Sequence, residues 1–292
     1  GRVYGYGNDV NDKCSGVRPA LYLNLSSDMY SYAGTVCSDG TVNEQKKEET
    51  DNIASPLQKS GEFKFETSLD NIVNTSGEDN KTAKYTYDYD ENWFFTPSTT
   101  YQHELTKMSI RAAMAGYGVM DAPHSVDTNI KYLMAGNDKN SLEFTNYESS
   151  YPDPKTNTIG YAIGSKNIKN SAGETCSLLM VTVRGGGYMD EWGGNFDLGT
   201  KDEHQGFNEA ALQVRDGIKK YVEKYKDKLP YELKVWISGY SRGAATTNLV
   251  AKMLDDGAIE GLTRDNIYAF CFECPQNTTK TQSYVESDKY KN

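Results

Sequence analysis

The chain has 292 residues, long enough for one large α/β domain with extra material or for two small domains. Aspartate and glutamate outnumber lysine and arginine by 41 to 31, a formal charge of -10, which argues against nucleic acid or an anionic membrane as the main partner. No apolar stretch approaches the roughly 18–20 residues of a membrane-spanning helix, while a hydrophobic content of 37% is enough to build a core.

The opening residues, "GRVYGYGNDVNDKC", show neither a starting methionine nor a signal peptide, and the closing "VESDKYKN" holds no packed element. The sequence therefore reads as an internal piece of a larger protein. Residues 1–42 are rich in Gly, Asn, Ser and Tyr around one apolar island, "GVRPALYLNL", and are expected to be the C-terminal remnant of an upstream β-rich domain. A charged, patternless stretch leading to Pro56 marks residues 43–60 as a linker. The main domain is expected over 61–292.

Two short half-exposed strands come first, "EFKFETSLD" (61–69) and "KYTYDYD" (84–90), each alternating aromatic and polar positions. A helix follows with Leu105, Met108, Ala112 and Ala115 on one face. A second carries Val126, Ile130, Leu133 and Met134, with Gly136 as its cap. The polar, proline-marked stretch 138–158 reads as an exposed loop. "TIGYAIGSKNI" and "SLLMVTV" read as strands, and the unbroken apolar run of the second fits a strand covered on both faces of a mostly parallel sheet. The clearest helix is "GFNEAALQVRDGIKKYVEKYKDKL", whose stripe of Phe207, Ala210, Ala211, Val214, Ile218, Tyr221, Val222 and Tyr225 faces a core. Strand 234–238, a serine turn, helix 242–255 and strand 267–273 complete an α/β sheet with crossovers.

Five cysteines, odd in number and without framework spacing, give no disulfide pattern. Cys271 and Cys274 form a C-x-x-C, but with no second pair and few histidines they read as core thiols, not as a metal or redox site.

The chemistry concentrates in "KVWISGYSRGAATTNLVAKML". A strand meets Gly239-Tyr240-Ser241-Arg242-Gly243 and a small-residue helix follows at once. That is the context of a nucleophile elbow, where flanking glycines admit neighbouring chains and the helix N-terminus supplies positive potential. An ordinary strand-to-helix turn is the alternative. Upstream, "SLLMVTVRGGGYMDEWGGNFDLG" runs a buried strand into Gly185–Gly187, offering bare N–H groups at the strand's C-terminal end. The N–H groups of Arg242 and Gly186 are thus the candidate pair of oxyanion donors. His204, just before the long helix, reads as a helix-start or packing residue and not as a base.

Taken in order, Arg184-Gly185-Gly186, Trp192, Asn195, Asp197, His204-Gln205-Gly206-Phe207, the Ser241 pentapeptide and "IYAFCFECPQ" resemble the class 3 (fungal-type) lipase family, and more closely a lipase-like group of anaerobic Gram-positive bacteria. The likeness covers roughly residues 92–292. It implies an α/β-hydrolase fold, Ser241 as nucleophile, backbone oxyanion donors from Gly186 and Arg242, and a carboxylic ester or lipid substrate; no cofactor or metal is expected. Three departures stand out. Gly186 replaces a Thr or Ser, Tyr240 replaces a common His, and no His follows Ser241, where the family keeps its base. The family's Asp is expected shortly after the last residue here, and Asp288 lacks its context. On this reading the domain is C-terminally incomplete and hydrolyses esters feebly or not at all by itself. Residues 1–30, with "GVRPALYLNLSS", resemble the tail of a bacterial domain of unknown function related to the formylglycine-generating, C-type-lectin-like fold, which implies a modular protein secreted from or displayed on a Gram-positive-type cell. The readings left open are a lipase or esterase, a lipase-like binding module without catalysis, and another hydrolase on the same fold.

Overall fold

In the computed structural model the described residues are 35–36, 42–43, 53–66, 82–116, 123–136, 139–153, 155–185 and 189–279. Contacts divide the chain into two compact units, Gly1–Asn52 and Ile53–Asn292. In the first, β1 (Thr35–Val36) and β2 (Val42–Asn43) form an antiparallel ladder, and the tail likened to a lectin-like domain lies outside the described residues.

The second unit opens with an antiparallel pair, β3 (Gln58–Glu66) and β4 (Thr82–Asp90). Period-two alternation sends Tyr87 and Tyr89 inward while Thr86 and Asp88 stay exposed. Two helices follow, α1 (His103–Ala115) and α2 (Pro123–Ala135). Leu105, Met108, Ala112 and Ala115 of α1 are fully buried, as are Ile130, Leu133 and Met134 of α2. The Gly136 amide closes α2 on the Tyr132 carbonyl at 3.1 Å; the Val126 side chain lies outside the described residues.

The main sheet has five strands in sequence order: β5 (Thr145–Ser150), β6 (Tyr161–Lys169), β7 (Thr175–Val183), β8 (Leu233–Tyr240) and β9 (Ile267–Phe272). It is mixed, not mostly parallel: β5–β6 and β6–β7 are antiparallel, β7–β8 and β8–β9 parallel. The cause is the short turn between β6 and β7, which can join only antiparallel neighbours. Asn170 shapes it by accepting the amides of Ala172 (3.0 Å) and Glu174 (2.8 Å), and Gly173 supplies φ +90°. The stretch 138–158 is likewise not a plain loop, since it contains the edge strand β5 and buries Leu142 and Phe144.

Helices cover both faces of this sheet. Alternate residues of β7 and β8 enter opposite cores. Leu178, Met180 and Trp236 pack with α1, α2 and the β3–β4 aromatics. Leu179, Val181, Val183, Val235 and Ile237 pack with α4 (Gln205–Tyr225) and α5 (Arg242–Met253), which follow the four-residue helix α3 (Met189–Trp192). Trp236 anchors the first core. Its ring lies 5.4 Å from Phe94 and 6.3 Å from Tyr89, and its indole N–H donates to Ser109 Oγ at 2.8 Å. Trp236→Ala is expected to cost about 3–5 kcal/mol of stability, the usual penalty for deleting a buried aromatic, read as a lower urea midpoint without a change in slope.

Candidate active site

β8 ends at Tyr240 and α5 begins at Arg242, so a single residue, Ser241, makes the whole turn. It does so at φ 54°, ψ -123°, in the left-handed half of backbone space that costs a non-glycine residue about 1–3 kcal/mol. The strain is held from two sides. The Ser241 N–H donates to the Phe272 carbonyl of β9 at 2.9 Å, and the Ser241 carbonyl accepts the amides of Ala244 (2.8 Å) and Ala245 (3.1 Å). The half-buried hydroxyl makes no capping bond to α5.

Both flanking glycines are required by close approach. A Cβ on Gly239 would sit 2.3 Å from the Gly243 carbonyl oxygen, and one on Gly243 would sit 2.6 Å from the Val183 carbonyl oxygen and 2.8 Å from that of Arg184. The first turn of α5 therefore rests directly on the C-terminal end of β7, the edge where open α/β sheets gather their ligands. Tyr240 is buried and turns toward the α1 side of the sheet; burial, followed by the charge of Glu273, raises its phenol above the ordinary range. Arg242, as the first helical residue, has an N–H with no intrahelical acceptor. Gly186, the other expected donor, lies outside the described residues with Gly187 and Tyr188, as does Asp288.

Beneath the turn is a polar network that the charge pattern gave no way to foresee. Arg184, fully buried at the end of β7, pairs with the equally buried Glu191 of α3. Glu191 Oε1 also accepts Thr158 Oγ1 at 3.1 Å. The guanidinium of Arg242, 1% exposed, donates to the Thr158 carbonyl at 3.3 Å and to Asn195 Oδ1 at 3.1 Å, and lies over the Phe207 ring at 5.7 Å. Burial pushes the Glu191 carboxyl above its usual range while Arg184 pulls it back, and burial lowers Arg242 against the opposing pull of Glu191. Asn157 extends the network, donating to Asp197 (3.3 Å) and Glu209 (2.6 Å).

His204 is a helix cap. Its Nδ1 accepts the Phe207 amide at 3.4 Å, so the proton must sit on Nε2, which donates to the Asn195 carbonyl at 3.1 Å. The ring stacks on Phe207 at 4.0 Å. Asn195 thus meets Arg242 through its side chain and His204 through its backbone, and the motif residues Arg184, Asn195, Asp197, His204 and Phe207 prove to be one scaffold around the turn. Trp192 is not part of the core, at 45% exposed.

The C-x-x-C departs from expectation. Cys271 is half-buried, but Cys274 is exposed, because Glu273 at φ 51° turns the chain out of β9. Asn277 then fastens this segment to α5, donating to the Ala245 carbonyl at 3.1 Å and to Asn248 Oδ1 at 3.0 Å. Along β9, facing the start of α1, runs a groove of about 380 Å³ lined among others by Tyr101, Leu105, Tyr268, Phe270 and Phe272. Phe272 also provides the carbonyl that receives the Ser241 amide.

Residues 181–287, which contain the end of β7, the network, the turn and β9, match the family described as Lipase (class 3). Over that span the chain is lipase-like, similar to an α/β-hydrolase family that acts on acyl esters. No curated protein matches the chain. Among the described residues no helix is long and apolar enough to cross a membrane.

Removing one member of a fully buried ion pair leaves the other uncompensated. Glu191→Ala is expected to destabilise the protein by about 3–5 kcal/mol, and Glu191→Gln by less because its amide oxygen still accepts from Arg184. Urea unfolding of the two variants beside the parent protein gives the comparison.

Proposed function

We propose that the protein is a serine hydrolase of the lipase or esterase type, with Ser241 as its nucleophile. The observation that carries this reading is the backbone of Ser241, strained at φ 54° and ψ -123° between a buried strand and a helix. An ordinary strand-to-helix turn has no need of that strain, whereas a nucleophile gains from it: the hydroxyl is lifted to the sheet edge with its oxygen uncommitted. Ser241 Oγ would attack the ester carbonyl, losing its proton to a base as the C–O bond forms. The tetrahedral intermediate then expels the alcohol, which takes up a proton, and water releases the acid from the acyl-enzyme.

The Ser241 amide is bound to Phe272 and is not available to the oxyanion. This supports the N–H of Arg242, at the positive end of α5, as one donor, and the N–H of Gly186 as the second. The groove beside Phe270 and Phe272 is apolar and of ordinary ligand-site size, which suits the acyl portion of an ester. The proton acceptor is not His204, whose two ring nitrogens are both engaged. The resembled family places its base after the nucleophile, and no His follows Ser241 in this sequence, so the chain by itself is expected to turn esters over slowly at most.

Gly186, standing where the resembled family has a Thr or Ser whose hydroxyl assists the oxyanion, favours a second reading, a lipase-like module that binds an ester or lipid without cleaving it. One experiment separates the two. A fluorophosphonate probe applied to the protein as its native gene encodes it should phosphonylate Ser241, identified by peptide mass spectrometry, and hydrolysis of p-nitrophenyl butyrate should drop to the buffer rate in Ser241→Ala. No label on Ser241, with equal rates for parent and variant, leaves the binding module standing.

A further inference from the structure

A buried cation needs a reason to be where it is. The site of Arg242 is 1% exposed and packed against Phe207, so a methionine or leucine of similar bulk would fill it without the cost of desolvating a charge. The Nε of Arg242 is buried without a partner, so packing and hydrogen bonding at this site are not optimised for stability alone. The guanidinium joins two elements beneath the turn. Nη1 holds Asn195, in the short 3-10 helix Gly193–Phe196, and Nη2 holds the Thr158 carbonyl, just before β6. Side chains on a helix lean toward its N-terminus, so the first residue of α5 reaches back past Ser241 to make these bonds.

We propose that the Arg242 side chain is a positioning residue, which ties the nucleophile turn to the 157–158 and 193–196 segments and so fixes where Ser241 and the Arg242 N–H sit. This rests on the reading of Ser241 as a nucleophile. The tether begins one residue from the reacting oxygen, and its far ends are themselves held. Thr158 is bonded through Glu191 to Arg184, and the Asn195 carbonyl is bonded to His204. Movement of the turn relative to the end of β7 therefore strains a chain of buried bonds that begins at Arg242.

The test uses Arg242→Met, Arg242→Lys, Asn195→Ala and Asn195→Asp, with esterase kinetics and amide hydrogen exchange measured on each. Misplacing reacting groups by an ångström costs on the order of 10²-fold in rate, so Arg242→Met is expected to lower kcat about 10- to 100-fold while KM changes by less than about threefold. Arg242→Lys keeps the charge but cannot reach both acceptors, and falls between. Asn195→Ala lowers kcat, Asn195→Asp recovers much of that loss by restoring the acceptor, and Asn195→Ala adds little on top of Arg242→Met because the two act through one bond. In Arg242→Met, amides of 193–196 and 241–245 exchange faster while those of β6 and β7 do not. A lowered melting temperature with kcat per folded molecule unchanged in all four variants would overturn the proposal. If the parent protein shows no turnover that depends on Ser241, the hydrolase reading fails on its own. The tether is then judged by exchange: selective acceleration in those two segments sustains it, and unchanged or uniform exchange removes it. Should Arg242→Met not fold, the lysine and Asn195 variants carry the same comparison.

Discussion

The end of β7 and the first turn of α5 lie so close that no side chain fits between them. Gly243 rests against the carbonyls of Val183 and Arg184, and Gly239 against Gly243 itself. This contact fixes the direction in which α5 leaves the sheet, which places Ser241 beside Phe272 and sends the side chains of Arg184 and Arg242 down into the same buried space. The polar network follows from that convergence. Two guanidiniums in one interior cannot stand without carboxylate and carbonyl partners, and Glu191, Thr158 and Asn195 arrive from three different segments to supply them.

Small residues at the turn and large charged ones beneath it divide the work between them. The glycines and Ala244–Ala245 let backbone approach backbone, and that contact is non-directional. The arginines add direction, since a planar fork satisfied by two acceptors tolerates little rotation. The strained backbone of Ser241 is what such an environment can hold: a conformation that costs energy locally persists because several firm contacts over-determine it.

Much of this was legible in the sequence. The apolar period of 3.6 around Leu105 and Phe207 and the consecutive apolar positions of β7 and β8 specify helices and doubly covered strands, and these are what the chain forms. The flanking glycines of Ser241 pointed to close packing, and the place of His204 ahead of a helix pointed to a helix-start or packing role; the structure makes it the N-cap. What stayed hidden is instructive. β5 is an edge strand of half-exposed polar residues with a register shift between Thr145 and Glu148, so it carries no clean alternation. The sense of the β6–β7 pairing hung on one Asn-Ser-Ala-Gly turn and not on the strands, whose apolar runs look alike in either orientation. Glu191, Thr158 and Asn157 drew no attention, because a Glu in "YMDEW" and a Thr in "KTNT" read as surface until folding brings them against buried arginines. Periodicity reports which face is covered and is blind to which distant polar groups meet under it.

The order of the sheet also sets the order in which the chain can assemble. β6 and β7 are joined across residues 170–174, whereas β7 and β8 are separated by residues 184–232, and β8 and β9 by 241–266. Closing the β7–β8 loop instead of the hairpin is roughly three doublings of length, an added entropic cost of about 2 kcal/mol. β7 therefore sits at the seam between a half that forms from neighbours in sequence and a half that must wait for long-range encounter. The serine turn, which needs β8, β9 and the end of β7 all in place, depends wholly on those long-range encounters.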